Sequence, residues 1–364
     1  MAVVADQTSQ KTRLWSSGQT EQSLISVVIP THNAVDFLDQ AIGSVLSQTY
    51  RHYELIVVDD GSTDSTRKVV EGFSGCIKYF YQDQQGPSAA RNAGIRHAGG
   101  DYICFLDADD LWMPDKLQTQ LDFMTEHGNI GLVFSDEEEF DGDQVLRQSL
   151  LAKTLFHSEI TSQVPIREAC QKLLIENFVP TSSVMIRREC FSRVGLFDEC
   201  LAVSEDRDLW FRIATQFNIA CIPVALAKKR THPGGISRNA ELTHRCRIHM
   251  WKKNFQHFPN RILVVVVDRL LAQAYLELGY ILLAKDQQNG AREAALRSLY
   301  HAVKAAAPSG SPDGLISPYR WLLGIGLVPL SLIGWPKNRL FAWIWSSYKQ
   351  WKVTNRGEGQ RFLL

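Results

Sequence analysis

The chain has 364 residues, and 39 Lys+Arg balance 39 Asp+Glu, so its formal net charge is zero. Hydrophobic residues make up 45% and charged residues 21%, which excludes a disordered, collagen-like or disulfide-scaffold protein. The balanced charge excludes a whole-chain basic field, so no nucleic-acid partner is expected. Seven cysteines are scattered without a C-x-x-C pair, which argues against a zinc ribbon or dithiol redox site. Several lie in apolar runs, as Cys104 and Cys221 do, and point to a reducing compartment. The first 22 residues lack a basic stretch followed by a long apolar one, so no secretory signal is expected and the expected location is cytoplasmic.

Residues 1–22 are polar and unperiodic and read as an N-terminal arm. From Leu24 short β-branched runs alternate with helix-like stretches. Strands are expected over 24–29, 54–58, 77–81 and 102–106, with helices near 36–48, 63–73 and 87–98 between them. This alternation predicts an α/β fold with a mostly parallel, doubly covered sheet, whose ligands sit beyond the carboxyl ends of the strands. Residues 115–240 continue with mixed elements. A helix follows Asp115, a strand covers IGLVF, and the acidic run DEEEFDGD (136–143) reads as a solvated turn. Another strand is expected over 179–186. A helix follows, with Ser204 as its N-cap and an Asp208–Arg212 pair one turn apart, and then the strand IACIPVAL. Residues 241–310 read as helical, with one tetratricopeptide-like pair expected to dock on the α/β part. The last segment, 311–364, holds five of the nine tryptophans, and beyond Trp335 it carries six basic residues against Glu358 alone. It fits either an interfacial membrane anchor, at the inner face of the cell membrane, or ordinary packing on the helices.

The first strand is followed by PTHNAVDF, without the G-x-G-x-x-G of dinucleotide sites, and no P-loop, H-E-x-x-H or G-x-S-x-G occurs. What remains is acidic residues at strand tips. Asp107 and Asp109, one residue apart on an extended segment, would point the same way and suit Mg²⁺ or Mn²⁺ shared with substrate phosphates. Asp110 would cap the next turn. Asp60 could accept hydrogen bonds from a base or ribose, with Gly61 letting the backbone turn closely there, or Asp59 and Asp60 could merely cap the next helix. Arg91 could reach a phosphate or act as a buried partner of the tip aspartates. Glu205-Asp206 opens a helix whose dipole keeps a carboxylate ionised and available as a base. The run Lys228 to Gly235 reads as a basic loop that could hold phosphate, or complete a metal shell through His232, or simply be solvated.

In order along the chain, SVVIPTHNAVDFLDQAIGSVLSQTY, ELIVVDDGSTDST, QGPSAARNAGIRHAGGDYICFLDADDLWMPDKL, SEDRDLWFRI and RTHPGGIS closely resemble the family 2 glycosyltransferases of bacterial cell-surface glycan synthesis. The resemblance runs from about residue 24 to 238. It implies a GT-A domain over 23–240, with Pro30, Thr31, Asn33, Asp60, Gly61, Arg91, Asp107, Glu205 and His232 around a nucleotide-sugar donor. It implies Asp109, with Asp107 and His232, at a Mn²⁺ or Mg²⁺ ion, and Asp206 as the base for inverting transfer to a glycan or lipid-linked acceptor. Gln84 stands where the family usually has Asn. Multiple spanning helices and a Q-x-x-R-W segment are absent, which points away from processive synthesis. A catalytically silent relative and a nucleotidyltransferase are the alternatives.

Overall fold

The computed structural model describes residues 22–232, 239–255 and 261–306. The expected N-terminal arm, apart from residue 22, the Gly234-Gly235 loop and the Trp-rich tail lie outside the described residues. Among those described, one mixed sheet contains β1 (Ile25–Thr31), β2 (Tyr53–Asp60), β3 (Lys78–Gln82), β4 (Tyr102–Phe105), β5 (Leu111–Trp112), β6 (Ile130–Asp141), β7 (Gln144–Arg147), β8 (Met185–Arg187) and β9 (Asn218–Arg230). Helices α1 (Leu38–Leu46), α2 (Thr66–Glu71) and α3 (Pro87–His97) connect the first four strands. Then come α4 (Lys116–Glu126), α5 (His157–Ser162), α6 (Ala169–Ile175), α7 (Arg188–Val194) and α8 (Glu205–Ala214). The described chain ends with α9 (Ala240–Phe255), α10 (Arg261–Ala284) and α11 (Gln288–Ala306).

The strand order is β3-β2-β1-β4-β8-β6-β9-β5, with β7 folded back on β6. β1 to β4 are mutually parallel, as the alternating pattern predicts, whereas β8 runs antiparallel to both β4 and β6. Strand periodicity sends neighbours to opposite faces. Val28, Ile56, Val58 and Phe105 enter one core, while Val27, Ile29, Leu55 and Val57 enter the other. α1 covers the second face with Leu38, Ala41, Ile42 and Val45, spaced as a helix stripe requires. α3 starts at Gly86, whose φ of +98° needs no Cβ, and at Pro87 in its first turn. It lies so close to β1 that a Cβ on Gly94 would stand 2.2 Å from Val28 Cγ1.

Several local expectations are corrected. The acidic run is not a solvated turn: all of it but Gly142-Asp143 belongs to β6, with Glu137 only 1% exposed. The basic run does not begin as a loop either, because Lys228 to Arg230 end β9. These two strand ends lie side by side, Glu138 opposite Lys228 and Glu139 opposite Lys229, with a Lys228–Glu138 ion pair at 3.3 Å. Each charged run thus serves as the other's cross-strand partner. The segment 179–186 is a 3-10 turn, Thr181–Ser183, followed by the short β8 rather than one strand. Ser204 occupies the N-cap position in a left-handed conformation (φ 64°), and its side chain caps nothing.

Burial pushes the Glu137 carboxyl up to about 7, with Asp107 and Asp136 adding to the rise and Lys229 and Lys116 opposing it. Lys116 is fully buried above the Trp112 ring at 4.2 Å and donates to Gln120 Oε1 at 2.7 Å; burial lowers its ammonium to about 8. All seven cysteines are free.

Helices α9, α10 and α11 share a third core with Leu174, Leu201, Val203 and Phe211 of the α/β part. The Asp208–Arg212 pair forms as expected. Asp208 is nevertheless fully buried and also meets Lys253 at 3.2 Å and Asn254 at 2.8 Å, both on α9. No described helix is long and apolar enough to cross a membrane.

Gly94→Ala should overpack the α3–β1 contact and cost about 1–3 kcal/mol, read as a lowered thermal midpoint that Val28→Ala partly restores. The raised Glu137 carboxyl holds its proton in the fold at pH values where the unfolded chain has lost it. Stability should therefore fall as pH rises from about 4.5 to about 7. Glu137→Gln should flatten that slope in denaturant titrations across this range.

Candidate active site

The carboxyl ends of β1, β2 and β4 and the start of α8 converge on one group of polar residues. Asp60, at the tip of β2, is 4% exposed, and its carboxylate ties down the loop after β3. Oδ1 accepts from Gln82 Nε2 (2.7 Å) and Gln85 N (2.9 Å), and Oδ2 accepts from Gly86 N (2.7 Å). Of the two aspartates only Asp59 performs a turn-capping role, accepting from Ser62 N at 2.8 Å. Gly61 has φ +76°, and the close approach it permits is that of the Gln84 backbone, 2.7 Å from where a Cβ would stand. Asn33 is left-handed (φ 50°), and its Oδ1 accepts from Thr63 N, so it fastens the end of β1 to the turn after β2. Pro30 lies beyond the last β1–β4 register pair, Val28–Phe105, so its missing N–H costs that ladder nothing. Thr31 is 3% exposed and its hydroxyl has no hydrogen-bond partner.

Asp107 to Asp110 form a tight turn, with Asp110 N–H donating to the Asp107 carbonyl at 3.0 Å, rather than an extended segment. Three partners brace this turn. The Ser182 hydroxyl accepts from Asp107 N–H (3.1 Å) and donates to Asp110 Oδ2 (2.6 Å). Arg230 donates its backbone N–H to Asp110 Oδ1 (3.0 Å) and its Nε to the Asp109 carbonyl (2.9 Å). The third is Arg91, whose Nη2 meets Asp107 Oδ1 at 2.7 Å. Asp110 is therefore a buried brace rather than the cap of the next turn, and burial, reinforced by Glu137, Asp109 and Asp107, raises its carboxyl well above the usual range.

Arg91 decides between its two sequence readings. It is 5% exposed, and its other fork arm, Nη1, meets Glu205 Oε1 at 2.7 Å. It is thus the buried partner of the tip carboxylates, joining the turn after β4 to the start of α8. Burial disfavours the charged guanidinium, but Asp107 and Glu205 outweigh this and hold its pKa above the ordinary arginine value. The Glu205 carboxyl goes the other way: burial, with Asp206 adding to it, pushes it up to about 7 despite Arg91.

Asp206 is only half-buried. Its Oδ1 accepts from the following backbone N–H at 2.6 Å, and its Oδ2 accepts from Asn177 Nδ2 (2.9 Å) and Thr181 Oγ1 (3.3 Å). One carboxylate of the Glu205-Asp206 pair is therefore locked to Arg91, and the other is oriented by neutral donors and open to solvent. The second arrangement suits a group that accepts a proton from a ligand.

Asp109 Oδ2 lies 2.8 Å from His232 Nε2, so this expected pair comes together from the ends of β4 and β9. Among the described residues no three His, Cys, Asp or Glu side chains converge as a metal cage. A carboxylate and an imidazole with half-exposed positions fit a Mn²⁺ or Mg²⁺ ion whose shell is finished by substrate phosphates and water. Asp107, with one oxygen on Arg91, could add a further oxygen ligand.

Sequence reasoning missed Ser182, Thr181, Asn177 and Arg230 as site residues. Arg230 was within reach, standing two residues before His232 in a basic run that ends a strand. Thr181 and Ser182 gave no signal of their own, because their partners lie more than 20 and 70 residues away in the chain.

A family model described as glycosyl transferase family 2 matches residues 26–195. An uncharacterized glycosyltransferase of Rickettsia typhi is 30% identical over 227 residues, 61% of this chain and 68% of that protein. One from Rickettsia conorii is 31% identical over 214 residues, and there the match spans 58% of this chain but only 34% of the relative. Escherichia coli WfgD, a UDP-Glc:alpha-D-GlcNAc-diphosphoundecaprenol beta-1,3-glucosyltransferase, is 27% identical over 278 residues, 73% of this chain and 98% of its own. Among solved structures, Staphylococcus aureus TarS 1-349 in complex with UDP-GlcNAc superposes with a TM-score of 0.59 at 17% identity, covering 83% of this chain and 92% of that one. A mannosyltransferase from Pyrobaculum calidifontis, in complex with GDP-Man and Mn²⁺, superposes with a TM-score of 0.53 at 17% identity, covering 94% and 89%. These likenesses identify the fold as GT-A, with helices in the C-terminal part. With the ordered motifs, the strand-tip carboxylates and these relatives in agreement, the chain belongs to glycosyl transferase family 2.

Proposed function

We propose that this protein transfers a sugar from a nucleotide-sugar donor to a hydroxyl of a glycan or lipid-linked acceptor, with inversion at the anomeric carbon. The observation that carries this reading is the Arg91 bridge, which holds the Asp107–Asp110 turn and the Glu205-Asp206 helix start in one site. Thr31 and Asp60 would face the nucleotide base, Asp107 the ribose, and Asp109 with His232 a divalent ion on the diphosphate. That ion, when bound, would supply Lewis-acid neutralisation of the departing diphosphate.

The chain's own residues supply the rest. Asp206, held by Asn177 and Thr181 on one oxygen, takes the proton of the acceptor hydroxyl. The acceptor oxygen then bonds to the anomeric carbon as the carbon–diphosphate bond breaks on the opposite face, and the bonding pair leaves with the nucleoside diphosphate. Glu205 acts through Arg91, fixing the donor turn relative to the base. A carboxylate base opposite the leaving group is the arrangement of inverting sugar chemistry.

Residues 23–240 form the transferase domain in this reading, and 241–310 the helical segment docked on it. The basic, Trp-rich 311–364 tail would sit at the inner face of the cell membrane, near a lipid-linked acceptor. The diphosphoundecaprenol in WfgD's name supports that choice of acceptor class.

Calorimetric titration with UDP, GDP, dTDP and CMP should show one nucleotide whose binding collapses without Mn²⁺. Binding of none would overturn the donor assignment. In Asp109→Ala the metal-dependent part of that affinity should disappear. Asp206→Asn should lower turnover by about 10²–10⁴-fold while nucleotide affinity is kept. Full activity in Asp206→Asn would remove Asp206 as the base.

A further inference from the structure

Among the described residues, Arg91 is one of two links between the donor turn and the helix that carries Asp206. The other is the 3-10 turn Thr181–Ser183, and its two adjacent hydroxyls reach in different directions. Thr181 Oγ1 donates to Asp206 Oδ2 at 3.3 Å, beside Asn177 Nδ2 at 2.9 Å. Ser182 Oγ accepts the Asp107 N–H at 3.1 Å and donates to Asp110 Oδ2 at 2.6 Å. The turn itself is anchored from behind. Trp112 Nε1 donates to the Ser182 carbonyl (2.7 Å), Gln120 Nε2 donates to the Ser183 carbonyl (2.6 Å), and buried Lys116 donates to the Val184 carbonyl (3.3 Å). Ser182 and Ser183 are 1% and 0% exposed, so these bonds are made out of water, where a lost partner is not replaced.

We propose that Thr181 and Ser182 are positioning residues: a neutral strut that sets the donor turn and the base at a fixed separation, Ser182 on the donor side and Thr181 on the base side. This rests on the glycosyltransferase reading. Each acts through another residue, Ser182 through the Asp107–Asp110 turn and Thr181 through the Asp206 carboxylate. Their division of labour follows from two neighbouring side chains holding two separate parts of the site. Arg91 joins the two parts of the site through charge-assisted bonds at 2.7 Å, and the hydroxyls of the buried turn add neutral bonds whose direction the turn sets.

The experiment uses the full chain and the nucleotide of the UDP, GDP, dTDP and CMP panel that the native protein binds with Mn²⁺. Turnover of the corresponding sugar nucleotide is followed as nucleotide release. Ser182→Ala should weaken Mn²⁺-dependent nucleotide affinity by roughly tenfold, the scale of one buried hydrogen-bond partner, and Ser182→Thr should restore it. Thr181→Val should lower kcat with nucleotide affinity and donor KM unchanged, and Thr181→Ser should restore kcat. Native-like affinity in Ser182→Ala, or the same parameter moving in both variants, would overturn the strut. Should Ser182→Ala fail to fold, the Thr181→Val and Thr181→Ser pair decides alone, since a donor KM that moves with kcat overturns the division. If the native chain binds no nucleotide of the panel, the glycosyltransferase reading itself fails, a result separate from either variant's behaviour.

Discussion

A guanidinium withdrawn from water must be paired, and the site is organised around satisfying that demand for Arg91. A buried charge that loses a partner destabilises a protein by several kcal/mol, whereas a forked pair with good geometry can be held at little net cost. Arg91 answers with one arm on Asp107 and the other on Glu205, 114 residues further along the chain. The start of α8 therefore cannot drift from the end of β4 without exposing an unpaired charge in the interior. The position of the arginine is itself set upstream. Gly86 and Pro87 fix where α3 begins, Gly94 lets that helix settle onto Val28, and Asn92 grips the Phe197 backbone just ahead of α8.

The same economy of charge explains the neighbouring ends of β6 and β9. Acidic residues gather where Asp107, Asp110 and Glu137 face one another, and the fold accommodates them by protonation and counter-charge together. Burial raises both Asp110 and Glu137, with Glu137 adding to Asp110 and Asp107 and Asp136 adding to Glu137, while Lys229 at the end of β9 is, against its burial, drawn above its usual value by Glu137, Asp110, Asp107 and Asp206. The pairing of an acidic strand end with a basic one brings that lysine to the carboxylates and also carries Arg230 and His232 to the donor turn.

The C-terminal helices take part in this arrangement. Fully buried Asp208, two residues after Asp206, is held by Arg212 on its own helix and by Lys253 and Asn254 of α9. The helix that carries the candidate base is gripped at its start by Arg91 and along its length by α9. Neighbouring hydrophobic residues of α6 and α8 complete the third core. The helical part thus supports the geometry of the site from behind.

How far the sequence could be read follows from the range of the interactions involved. Local periodicity determined the β1 to β4 framework and its helices, because alternation and helix stripes depend on near neighbours and on water alone. The ordered motifs around Asp60, Arg91, Asp107 and Glu205-Asp206 pointed to the same end of the sheet for the same reason, since strand tips in a parallel sheet share a side. The acidic run reads as a solvated turn and the basic one as a loop because each is polar by itself, and only strand pairing between β6 and β9 reveals a partner. Which role Arg91 plays, that Asp110 braces rather than caps, and that Thr181 and Ser182 reach the site at all were decided by tertiary structure. Those outcomes depend on hydrogen bonds between residues far apart in the chain, and such bonds leave no periodic trace in sequence.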